Sequence, residues 1–231
     1  MVTRPIPVAI RLSNDVTLRG YEWSVDGPPV VFVHDLGDDL DAWGPVTSKV
    51  AHSGFRVISL ELRGHGLSDG EPDRTKVRED VRLMLDEIVP SFGPVGLVSY
   101  GAASEVLLSL DGQDGAPVQV IISPQQLEPD GIDWATSKQA MRVIVGGSLD
   151  EPTHEYLKAI YPKMLGEKLW VSVATAKHGP ALLIDQPTAL EQMAIFLRRY
   201  LTAYHLAWIK EHEDQIRAVA QSRRPDESKQ N

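Results

Sequence analysis

Residues 94–110 read PVGLVSYGAASEVLLSL. The segment opens with an apolar run, Pro94–Val98, of the kind a strand covered on both faces requires. It closes with a helical pattern over 102–110. Between the two stand Ser99, Tyr100, Gly101, Ala102 and Ala103, all small except the tyrosine. A sharp turn from strand to helix brings two backbones together, and small residues permit that approach.

Working outward, the same kind of apolar run recurs at Val30–His34, Phe55–Leu60, Val118–Ile122, Met141–Val145 and Leu169–Val173. Helical patterns fall between them, over roughly 41–52, 75–89, 133–139 and 153–164. Residues 7–12 and 16–24 read as an opening hairpin turned by Ser13-Asn14-Asp15. The alternation predicts an α/β fold: a mostly parallel sheet of about eight strands flanked by helices. About ten residues separate Ile122 from the helix before Met141, which leaves no room for a separate cap domain.

After Pro187 an apolar stripe of Leu190, Met193, Leu197, Leu201, Tyr204 and Trp208 predicts an extended C-terminal helix reaching about Val219. The stripe either packs on the sheet throughout or offers its distal part, around Trp208 and Ile216, to a second copy as a homodimer contact. Residues 1–221 read as one domain, and 222–231 as a disordered polar tail.

Composition narrows the function. The 231 residues are 42% apolar and 24% charged, with a formal net charge of −9. That balance argues against nucleic acid and anionic membrane as main partners, since both attract basic patches. The absence of cysteine excludes disulfides, thiolate metal sites and a cysteine nucleophile. Met1–Pro7 carries no apolar signal segment, and no apolar run reaches about 18 residues, so a cytoplasmic protein is expected. No residue pattern calls for a cofactor or a metal.

Three stretches resemble the α/β-hydrolase superfamily. VVFVHDLGDDLDAW (30–43) is similar to its strand, His-Gly, oxyanion loop and following helix. LELRGHGLSDG (60–70) matches its Asp-x-Arg-Gly-His-Gly-x-Ser loop, with Glu61 replacing the aspartate. VATAKHGPALL (173–183) resembles the loop that presents the catalytic histidine. The resemblance implies the α/β-hydrolase fold, in a small form without a cap. It also implies a nucleophile elbow of the pattern small-x-Ser-x-Gly, and this places Gly101 where the serine belongs. Tyr100 takes the preceding x position and Ala103 the second small one. By the same resemblance Asp150, in MRVIVGGSLDEP (141–152), stands for the triad acid and His178 for its base. Asp150 is equally a natural helix N-cap. Leu36 and Ala102 would supply the oxyanion-hole N–H groups, but Asp35 replaces the family's glycine beside them. Asp38, Asp39 and Asp41 follow, as a solvated loop and helix cap would have them. His34 and His65 read as loop-tying side chains.

These residues divide the functional expectation. Losing the nucleophile of a serine hydrolase costs on the order of 10⁶ in turnover. The leading expectation is therefore a hydrolase-fold protein without conventional serine activity, a pseudoenzyme that binds a small apolar ligand or a protein partner in the old cleft. The alternative is a His178–Asp150 enzyme (hydrolase, lyase or cofactor-free oxygenase) working without a covalent intermediate, with the space left by the missing side chain open to water or substrate. A third possibility is a divergent esterase with Ser99 as nucleophile in a shifted register.

Overall fold

The computed structural model describes residues 4–125 and 140–214. Eight strands form one sheet in the order β1-β2-β4-β3-β5-β6-β7-β8. They are β1 (Ile6–Arg11), β2 (Thr17–Trp23), β3 (Pro29–Val33), β4 (Arg56–Leu60), β5 (Gly96–Gly101), β6 (Val118–Pro124), β7 (Met141–Gly147) and β8 (Lys168–Val173). The opening hairpin is antiparallel, β2 runs antiparallel to β4, and every later pairing is parallel. The strand pattern read from the sequence is present throughout, shifted by one to three residues at some ends.

Among the described residues six α-helices flank the sheet: α1 (Val46–His52), α2 (Val77–Phe92), α3 (Ser104–Leu108), α4 (Glu151–Ile160), α5 (Pro180–Asp185) and α6 (Pro187–Glu211). The helix expected over 41–52 is broken. A short 3-10 turn, Leu40–Trp43, ends at Gly44, whose φ of +48° suits glycine, and Pro45 then opens α1. Helix α5 was not foreseen, because two prolines in eight residues hide so short an element. The helix expected over 133–139 and the tail 222–231 lie outside the described residues.

Alternation along the central strands sorts side chains to two cores. Val31, Val33, Ile58, Leu60, Leu97 and Ile121 pack with residues of α2, α3 and α4 on one face. Val30, Phe32, Val57, Val98, Val120 and Val145 pack with α1, α5 and α6 on the other. Both faces of β3, β5 and β6 are therefore covered, which is why their sequences read as continuous apolar runs. Helix α6 lies on the second core through Leu190, Met193, Leu197 and Leu201. It stays against the body as far as Trp208, whose ring lies 2.8 Å from where a Cβ on Gly93 would sit. Among the described residues, no helix is long and apolar enough to cross a membrane.

Candidate active site

The C-terminal ends of β3, β5, β6, β7 and β8 converge, as a ligand site on a parallel sheet requires. Strand β5 ends at Gly101, whose φ is +61°. Glycine adopts that conformation without strain, so the sharp backbone at the end of β5 suits residue 101, which has no side chain to react. The backbone N–H of Gln125, after β6, donates to the Gly101 carbonyl at 3.1 Å.

The space above Gly101 is not open. The Asp35 side chain turns inward, and a Cβ built on Gly101 would collide with its carboxylate, chiefly with Oδ2. Oδ1 accepts from the Leu36 N–H at 2.8 Å and the Ala103 N–H at 2.9 Å. Paired backbone donors of this kind are what an oxyanion hole is built from, and here both are taken up by the chain's own carboxylate. Leu36 is one of the two expected donors. Ala103 supplies the second hydrogen bond in place of Ala102, one residue earlier, which acts on the same carboxylate more weakly. Burial pushes the Asp35 carboxyl above its ordinary range, and the donated N–H bonds only partly oppose the shift.

This corrects two expectations. The volume given up by the missing side chain holds Asp35 rather than water or substrate. Nor is the acidic run uniformly solvated: Asp38 Oδ2 accepts from the Tyr100 hydroxyl at 2.7 Å. Asp39 does act as a cap, accepting from the Asp41 N–H at 2.9 Å. The Tyr100 hydroxyl is held strongly protonated, by burial first and by the Asp38 carboxylate second.

The other two triad positions meet. His178 Nδ1 lies 2.7 Å from Asp150 Oδ2. Asp150 precedes α4 but makes no side-chain capping bond, so its carboxylate serves the imidazole and not the helix. Its loop is tied to the end of β8 by Ser148 N–H to the Val173 carbonyl and Leu149 N–H to the Thr175 carbonyl. His178 Nε2 meets the side-chain amide nitrogen of Gln125 at 3.0 Å. That network assigns the proton to Nδ1 and the lone pair to Nε2, the tautomer a general base needs. Gly179 follows with φ +55°. Its N–H donates to Ser123 Oγ at 3.0 Å, and a Cβ there would press on the Tyr100 ring at 2.8 Å. Ser123 itself sits at φ +43°, a strained setting for a non-glycine residue, next to the histidine loop.

Ser99 lies within β5, fully buried, its hydroxyl without a hydrogen-bond partner. A hydroxyl enclosed in the sheet cannot be reached by a substrate carbonyl, which removes the shifted-register esterase. His34 and His65 tie loops. His34 Nδ1 pairs with the Asp35 carbonyl at 2.7 Å and its Nε2 accepts from the Leu62 N–H at 2.9 Å. His65 Nε2 accepts from the Gly37 N–H at 3.3 Å. Among the described residues no group of three or more His, Asp or Glu could hold a metal ion.

The sequence model of the alpha/beta hydrolase family matches residues 30–227. The chain belongs to this family. It is 29% identical over 100 residues to the (E)-2-((N-methylformamido)methylene)succinate hydrolase of Acinetobacter baylyi, a match covering 43% of the chain and 37% of that enzyme. It is 25% identical over 165 residues to an uncharacterized abhydrolase domain-containing protein of Dictyostelium discoideum, over 67% of the chain and 17% of that protein. The chain thus spans well under half the length of either. Among solved structures, an esterase of Pyrococcus furiosus superposes with a TM-score of 0.70 at 14% identity, over 86% of this chain and 91% of that one. The alpha/beta hydrolase GrgF from Penicillium sp. sh18 superposes with a TM-score of 0.71 at 15% identity, over 86% and 99%. At such identities the likeness establishes the fold. Sequence reasoning missed Gln125 and Ser123, which belong to no motif. The pairing of Asp35 with Gly101 did carry a signal: the resemblance implies a glycine where the chain has Asp35 and a serine where it has Gly101.

Proposed function

We propose that this member of the family binds a small, mostly apolar molecule in the former hydrolase cleft and does not cleave esters through a covalent serine intermediate. The observation that carries the reading is Asp35. Its carboxylate lies on the N–H groups that would hold an oxyanion, and in the space that a nucleophile would fill. A negative charge already in the hole opposes the developing charge of a tetrahedral intermediate. Beside it lies a cavity of about 700 Å³ lined in part by Leu36, Leu62, Val77 and Ala102, within the size range of small-molecule sites.

The 2.7 Å contact between His178 and Asp150 supports a second reading, in which the bound molecule is also transformed with His178 as general base. One experiment addresses both. Purified protein is incubated with a fluorophosphonate probe and with a panel of short p-nitrophenyl esters. The expected outcome is no adduct and release at the buffer rate. Labelling, or turnover well above buffer, overturns the first reading. Any activity found must disappear in His178→Ala, and an activity that survives that change overturns the second.

A further inference from the structure

We propose that the cleft is inverted in polarity and recognises a small apolar amine, in its ammonium form, in preference to a carboxylate or other oxyanion. The inference rests on the ligand-binding reading above and names the chemistry of the ligand.

Of the groups that face the old reaction centre, the Leu36 and Ala103 N–H groups both donate to Asp35 Oδ1. The Tyr100 hydroxyl donates to Asp38, and the His178 Nδ1–H to Asp150. The Gln125 side-chain amide meets His178 Nε2, and the Gly179 N–H donates to Ser123. Among the described residues each of these groups has a partner within the chain, and only the second hydrogen of the Gln125 amide is left over. What the site offers a ligand is acceptor character: Asp35 Oδ2 above Gly101, with the Asp38 carboxylate near enough to raise the proton affinity of both Asp35 and Tyr100.

The basic side chains that line the cavity, Arg63, His65 and Arg74, already have partners. The Arg63 guanidinium is gripped by the Asp80 carboxylate through two bonds, 2.7 and 2.5 Å long. Arg74 is also engaged, and both ring nitrogens of His65 have backbone partners. Both strong backbone bonds fall on Oδ1, so Oδ2 is the oxygen that gains most from a charged donor, because a charge-assisted hydrogen bond is about twice as strong as a neutral one. An apolar tail on that donor suits Leu36, Leu62 and Val77.

The test titrates hexylammonium, hexanoate and 1-hexanol into the wild-type protein, Asp35→Asn, Asp35→Gly and, as a control for overall charge, Asp86→Asn on the exposed face of α2. Calorimetry gives affinities, and amide chemical shifts of Leu36 and Ala103 report where the ligand sits. The wild type is expected to bind hexylammonium about tenfold or more tightly than hexanoate, the scale of one charged hydrogen bond. Asp35→Asn, which is isosteric and keeps an acceptor for the two N–H groups, is expected to lose that preference, and Asp86→Asn to keep it. Asp35→Gly uncovers the N–H pair, so hexanoate becomes the better ligand and moves both amides. Hexanoate binding the wild type as well as hexylammonium, or Asp35→Asn retaining the preference, overturns the proposal. If 1-hexanol binds in that case, the ligand-binding reading stands without it. If none of the three binds, both fall.

Discussion

At the scale of single residues, Asp35 and Gly101 are sterically coupled. A serine cannot return to position 101 while the carboxylate lies over it, and the carboxylate could not lie there if position 101 had a Cβ. Gly101→Ser alone is therefore expected to destabilise the fold by about 1–3 kcal/mol, from the collision and from the left-handed backbone. Urea unfolding checks this. Asp35 also ties stability to pH. Burial raises its folded pKa above the ordinary 3.8, so the charged form is disfavoured in the native state. Its contribution is most favourable below the unfolded pKa and is lost as pH rises through the raised folded value. Wild type and Asp35→Asn should therefore match most closely in acid, and the difference should shift in favour of the asparagine variant as pH climbs through the carboxylate range. A parallel pair of stability curves contradicts that assignment.

At the scale of elements, what was legible in the sequence depended on how local each cause was. The strands showed themselves because burial on both faces of β3, β5 and β6 demands apolar runs. The elbow, the acid and the base were placed by motif, and Asp150 and His178 meet as the motif implied. The direction of the Asp35 side chain could not be read, because it depends on a long-range contact with Gly101 that leaves no periodic trace. The break at Gly44 and the short helix α5 were hidden for a similar reason, since each is set by a few turn residues. The terminal helix shows the same interplay of sequence and packing. Gly93, at φ +83°, ends α2 and leaves room for the Trp208 ring of α6. Gly93→Ala is expected to cost about 1–3 kcal/mol, from an unsuitable φ and from crowding the indole. Chemical denaturation, with the tryptophan environment followed by fluorescence, measures both. An unchanged midpoint and spectrum would show that α6 does not rest there.

At the scale of the whole molecule, the family fold is complete, and the proposed loss of serine chemistry rests on one point of it. The sheet, the two cores, the turn at the end of β5 and the His178–Asp150 pair follow from the family pattern. The Asp35 carboxylate lies on the Leu36 and Ala103 N–H groups and over Gly101. Under the proposed function, the change is a local one in an otherwise ordered site, where Asp150 still meets His178. The most direct measurement takes four forms of the protein: wild type, Gly101→Ser, Asp35→Gly and the double variant. Each is treated with a fluorophosphonate and its intact mass recorded. The expected result is an adduct on the double variant alone, at the introduced serine, because only there is the hole vacant and the nucleophile present. Labelling of the wild type, equal labelling of Gly101→Ser and the double variant, or a folded double variant that stays unlabelled would contradict the account.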